Sequence, residues 1–169
     1  MANLYTLPSG TIDKFNVVIE IPAGSQNKYE YSPDGFLELD RVLYSSEFYP
    51  FNYGFIPNLK SIKAPDGDLL DAAVWLTNPV PPATVVKCRA IGILKKIDSG
   101  DQDDCILAVP ISDPRFANIK DISDLQPHIL KEMEDFFANY KRLQNKTCQI
   151  VGFGDKIEAE TEMVKYLDK

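Results

Sequence analysis

Histidine is almost absent from this 169-residue chain, which holds one, His128. Any Ser-His or Cys-His nucleophilic system would have to run through it. Its place after Pro127, at the start of a helical pattern, suits a surface or capping role instead. Cysteine is scarce and unpaired. Cys88, Cys105 and Cys148 are widely spaced with no CxxC, which argues against a disulfide framework or a thiolate zinc site and for reduced thiols. Long apolar runs are missing too: the longest uncharged stretch, 72–86, has 15 residues and is broken by Pro79, Pro81 and Pro82, so no membrane-spanning helix is expected. The opening MANLYTLPSGTIDKFN has no basic start followed by an apolar run, and the expected compartment is the cytoplasm. Positive charge is in deficit, with 18 Lys and Arg against 25 Asp and Glu, a net charge of -7 and a pI near 4.7. That balance opposes binding to nucleic acid or anionic lipid, and a phosphate-handling protein of this charge would have to recruit cations.

What is present is an ordinary globular composition, 44% hydrophobic and 25% charged. No internal repeat or linker-like stretch divides the chain, so a single domain over 1–169 is expected. The first two-thirds reads as strands at 16–22, 28–31, 37–43, 72–77, 84–97 and 105–109, each rich in β-branched or aromatic residues between turn signals. The period then changes. Over 127–143, Ile129, Met133, Phe136, Phe137, Tyr140 and Leu143 recur three or four apart, the face of an amphipathic helix, with Ser123 and Asp124 upstream as candidate caps. A short last helix is expected after Asp155, with Glu158 three residues on and Ile157, Met163, Val164 and Leu167 as its apolar residues. Strands first and helices later point to an α+β domain with an antiparallel sheet or barrel.

With histidine and cysteine set aside, the chemistry must rest on carboxylates, hydroxyls and cations. Asp66-Gly67-Asp68-Leu69-Leu70-Asp71 places three carboxylates in six residues before an apolar strand. Asp-Gly also makes solvated turns, but Asp71 abuts Ala72-Ala73-Val74-Trp75 and would be costly there without a cation or strong donors. A second acidic cluster, Asp98-Ser99-Gly100-Asp101-Gln102-Asp103-Asp104, is either a solvated loop or a second set of ligands. Neither fits an EF-hand, and carboxylates without imidazole or thiolate suit Mg²⁺ or Mn²⁺ better than zinc. Phe48-Tyr49-Pro50-Phe51-Asn52-Tyr53-Gly54-Phe55 adds two phenols on a backbone stiffened by proline, and a buried phenol needs a partner such as a phosphate oxygen. Lys28, Arg41 and Lys141 are candidate further donors.

Taken in order, Val17-Val18-Ile19-Glu20-Ile21-Pro22, Lys28-Tyr29-Glu30, Leu39-Asp40-Arg41, the Tyr49 and Tyr53 segment, the aspartate motif at Asp66, Cys88-Arg89 with Gly92, Ala108-Val109-Pro110 and Tyr140-Lys141 resemble the soluble inorganic pyrophosphatases of family I, the bacterial type. The resemblance implies a five-stranded antiparallel β-barrel of the oligonucleotide-binding type with flanking α-helices, a homohexamer, and Mg²⁺-dependent hydrolysis of pyrophosphate, with Mn²⁺ as a substitute. It implies metal ligation by Asp66, Asp71 and Asp103, with Asp98 and Glu20 as further acids around the metals. Asp68 matches the general base, Lys28, Arg41, Tyr53, Tyr140 and Lys141 match phosphate-holding positions, and Glu30 and Tyr49 match supporting ones. One departure stands out. Where the family has a phosphate-contacting lysine two residues after the Asp103 position, this chain has Cys105. The sequence thus leaves three outcomes open: a weakened pyrophosphatase, a metal-dependent phosphohydrolase of altered specificity, or replacement of the missing charge by Lys95 or Lys96. A non-enzymatic barrel is opposed by the complete carboxylate set.

Overall fold

The computed structural model describes residues 3–57, 63–65 and 67–167. Its strands are β1 (Gly10–Thr11), β2 (Lys14–Ile21), β3 (Asn27–Tyr31), β4 (Leu37–Val42), β5 (Asn52–Phe55), β6 (Asp71–Val74), β7 (Thr84–Asp98), β8 (Asp101–Gln102), β9 (Cys105–Pro110) and β10 (Cys148–Gly154), with helices α1 (Pro127–Asn139) and α2 (Lys156–Met163). β2 pairs with β5, β5 with β6, β6 with β9, β9 with β7, and β7 returns to β2, so five strands close into a ring. Closure leaves these strands no free edge. All the pairings in the ring are antiparallel except β6 with β9, which is parallel. β10 extends the ring along β7, and the β3–β4 hairpin forms a separate two-stranded sheet.

The closed topology explains the composition of the central strands. β9, Cys-Ile-Leu-Ala-Val-Pro, is buried along its whole length, as a strand covered on both faces must be. One of its faces, Ile106 and Ala108, joins Val17, Ile19, Ala72 and Val74 in a core closed by Ala159 and Met163 of α2. The other, Cys105, Leu107 and Val109, joins Ala73 and Leu94 in a core covered by Met133, Phe136 and Phe137 of α1. The ring also demands close backbone contact. A Cβ on Gly54 would lie 1.9 Å from the Val18 carbonyl oxygen, so only glycine lets β5 approach β2 there.

Several local expectations are corrected. The strand expected to reach residue 77 ends at Val74, because buried Asn52 donates its side-chain amide to the Val74 carbonyl and accepts from the Val80 amide, turning the chain away. α1 ends at Asn139, not 143. The 3₁₀ turn Arg142–Gln144 and left-handed Asn145 follow it, and Leu143 is swung out to 57% exposure. Ser123 and Asp124 do not cap α1. They belong to their own 3₁₀ turn, boxed by Asp121, while α1 starts on Pro127 at its first turn. Asp155 does cap α2 by accepting from the Glu158 amide, but Ile157 and Val164 face solvent. β5 and β10 had no strand expectation; both are short or glycine-containing and owe their conformation to a neighbour in the sheet.

Candidate active site

A cavity of about 470 Å³ opens beside the ring. Glu20 reaches it from the end of β2, Lys28 and Glu30 from β3, Tyr53 from β5, Asp71 from the first residue of β6, and Asp98 from the last residue of β7. Asp68 and Tyr49 come from loops, Asp103 from the connection into β9, and Tyr140 and Lys141 from the end of α1. Residues 121 positions apart in sequence, Glu20 and Lys141, thus share one wall. Asp98 is placed by a two-residue hairpin. Asp98 and Asp101 are paired across it, and Ser99 and Gly100 both have positive φ, 55° and 107°, the backbone of a type I′ turn. Arg41 is not on the wall among the described residues; it stands opposite Lys28 in the β3–β4 pair and forms an ion pair with Asp40. Asp66 lies outside the described residues.

Lys28, Tyr53, Tyr140 and Lys141 are already held by acids, while Lys63, also on the wall, donates to the Tyr5 hydroxyl at 2.8 Å. Lys28 pairs with Glu30 and, at 3.3 Å, with Asp40. Tyr53 donates to Asp71, and Lys141 and Tyr140 both donate to Asp98, the latter at 3.1 Å. Glu20 accepts from the Tyr31 amide at 2.6 Å. Burial dominates the titration of Glu20, Asp71, Tyr53 and Tyr140. It pushes the Glu20 carboxyl up to about 8 and, together with the like charge of Asp103, holds Asp71 well above the usual carboxylate range. Burial also raises the phenols of Tyr53 and Tyr140, and the acids beside them add to it. Asp98 goes the other way: burial opposes its ionisation, but the Lys141 hydrogen bond and charge outweigh that and lower it.

Among the described residues no three His, Cys, Asp or Glu side chains converge closely enough to enclose an ion by themselves. The donor chemistry nonetheless fits a hard divalent cation. The groups facing the cavity from Glu20, Asp68, Asp71, Asp98 and Asp103 are all carboxylates, and Asp71 and Asp103 repel each other across a buried space that calls for positive charge. Part of that charge is already present. Lys96, 1% exposed, forms an ion pair with Asp103 at 2.5 Å beneath the wall. Lys95, its neighbour, turns to the opposite face and pairs with Glu158 of α2. Cys105 is fully buried and stands opposite Asp71 in the β6–β9 pair. The sequence named Lys96 only as one of two alternatives, and it carried Asp40, the acid shared by Lys28 and Arg41, only within the Leu39-Asp40-Arg41 segment and without a role; strand alternation separates Lys95 from Lys96 but does not say which faces in.

Comparison with known proteins identifies the family of the chain and its fold. The family model described as inorganic pyrophosphatase matches residues 17–169. A protein of a Nostoc species named inorganic pyrophosphatase is 50% identical over 141 residues, 83% of this chain and 82% of the relative, and one of Geobacillus stearothermophilus is 46% identical over 147 residues, 86% and 87%. The crystal structure of inorganic pyrophosphatase from Thermus thermophilus superposes with a TM-score of 0.93 at 40% identity, covering 98% of this chain and 97% of that one.

Proposed function

The chain belongs to the inorganic pyrophosphatase family, and from that membership we propose how its cavity hydrolyses pyrophosphate to two orthophosphates. The protein is an inorganic diphosphatase, a hydrolase of the phosphoanhydride bond. The observation that carries the site assignment is the convergence of the carboxylates of Glu20, Asp68, Asp71, Asp98 and Asp103 with the donors Lys28, Tyr53, Tyr140 and Lys141 on one cavity.

Bound Mg²⁺, or Mn²⁺ in its place, supplies the charge that brings a dense anion into an acidic cavity and acidifies the attacking water. In this reading Asp66, Asp71 and Asp103 hold the metal, with Asp98 and Glu20 around it. Asp68, exposed on the cavity wall, receives the proton of the attacking water on a carboxylate oxygen. Lys28, Arg41, Tyr53, Tyr140 and Lys141 donate to phosphate oxygens as charge spreads onto the transferred and leaving groups. Because each donor except Arg41 is a cavity group already oriented by a carboxylate, substrate entry exchanges an acid partner for a phosphate oxygen with little new ordering. Glu30 orients Lys28, and Tyr49 packs its ring at a tilt against Tyr53 and Phe136. The same reading has the enzyme working as a homohexamer in the cytoplasm, supported by the family likeness; no helix among the described residues is long and apolar enough to cross a membrane.

The test is phosphate release from pyrophosphate with and without Mg²⁺. Activity that survives excess chelator would overturn the metal-dependent mechanism, and faster release from tripolyphosphate or a nucleoside triphosphate would overturn the substrate.

A further inference from the structure

Lysine is rarely buried unless paired, and Lys96 is 1% exposed, with one carboxylate among the described residues, Asp103 Oδ2, paired to its Nζ at 2.5 Å. Its backbone is held at both polar groups: the Asp103 amide donates to its carbonyl at 3.0 Å, and its own amide donates to Asp104 Oδ1 at 3.2 Å. The ammonium also stands 5.2 Å from the centre of the Phe137 ring on α1. Lys96 does not line the cavity, although Asp103 and Phe137, the two groups its ammonium meets, both do. As placed, it acts on the cavity through the carboxylate above it.

We infer that Lys96 is a built-in counter-cation of the metal-binding carboxylates, a positioning residue that fixes Asp103 and offsets the charge it shares with Asp71, so that these carboxylates bind metal less tightly than their acid count implies. The inference rests on the reading of Asp71 and Asp103 as metal ligands. A fixed ammonium at Asp103 would repel a divalent ion held by the same carboxylate, and it also relieves the repulsion between two half-buried acids in the metal-free protein. Cys105 marks where the charge could equally have stood: it lies opposite Asp71 in one strand pair and opposite Leu94, two residues before Lys96, in the other.

The experiment titrates Mn²⁺ into the wild-type chain and into Lys96→Met, which keeps length and removes charge, and records melting temperatures without metal. Lys96→Met should bind Mn²⁺ about tenfold more tightly and melt about 10 °C lower without metal, because one partner of a buried pair is gone. A role in packing alone would not tighten metal binding. The double variant Lys96→Met/Cys105→Lys moves the cation from β7 to β9 and should restore both values towards wild type. Unchanged or weaker Mn²⁺ binding by Lys96→Met overturns the inference, with the ligand reading intact if wild type binds Mn²⁺; a wild type that does not bind Mn²⁺ overturns both. Should Lys96→Met fail to fold, a folded double variant with wild-type affinity supports the inference, and a double variant that also fails to fold overturns it.

Discussion

Lys141 closes an ion pair on Asp98 across 43 positions of sequence, and the adjacent Tyr140 hydroxyl donates to the same Asp98 oxygen at 3.1 Å. Through this contact the end of α1 is tied to the hairpin that ends β7, so two phosphate-donor candidates and one acid are positioned by a single junction. Lys141 also sits where the helix dipole favours a cation.

The junction should make stability pH-dependent at the acid end. Asp98 is lowered below its ordinary 3.8 because Lys141 outweighs the cost of burial. The unfolded chain therefore binds a proton more readily than the folded one, and the stabilisation is present above about 3.8 and lost as pH falls through the folded value. Asp98→Asn should cost about 1.5–3 kcal/mol at pH 7 and progressively less below pH 4, read from urea denaturation of the metal-free protein at a series of pH values. A constant cost across that range would contradict the assignment.

Asp68 and Asp71 should separate kinetically. Asp68→Asn removes a proton acceptor and is expected to lower kcat by about 10²–10⁴-fold with metal affinity spared. Asp71→Asn removes a ligand charge and should raise the Mg²⁺ concentration needed for half-maximal rate. Identical Mg²⁺ titration curves for wild type and Asp71→Asn would refute that division.

Gly54 is expected to be intolerant of even a methyl group. Its Cβ would meet the Val18 carbonyl at 1.9 Å, so Gly54→Ala must spread β2 from β5 and should cost about 3 kcal/mol in chemical denaturation. Because Tyr53 is the preceding residue, kcat/KM should fall with stability; a variant as stable as wild type would show the ring has slack here.

Assembly is open to direct measurement. Multi-angle light scattering should report six copies of the 19.0 kDa chain; a monomer across a wide concentration range would exclude the hexamer.

Much of the site was legible before folding was considered, because its signals are local. Asp68 and Asp71 sit three residues apart, Tyr49 and Tyr53 share one proline-stiffened segment, and Tyr140 follows Phe136 and Phe137 on a helical period. Residue type and spacing within ten positions carry the acidic clusters and the phenols, and it is the resemblance of the ordered set to the pyrophosphatases that pointed to a function. The α+β class was legible for the same reason, since periods of two and 3.6 are properties of short windows.

Tertiary structure decided what depends on distant partners. No window of sequence shows that β6 pairs in parallel with β9, or that β7 pairs with β2, β9 and β10 together. The inward turn of Lys96 is the sharpest case. Alternation requires Lys95 and Lys96 to face opposite sides, but the register of β7 shifts at a bulge between Ala90 and Gly92, and which lysine then faces Asp103 follows from the closed ring. A buried ammonium is tolerable only where an acid awaits it, and that acid, Asp103, is brought there by the return of the chain through the hairpin at Ser99 and Gly100, not by its place in the sequence.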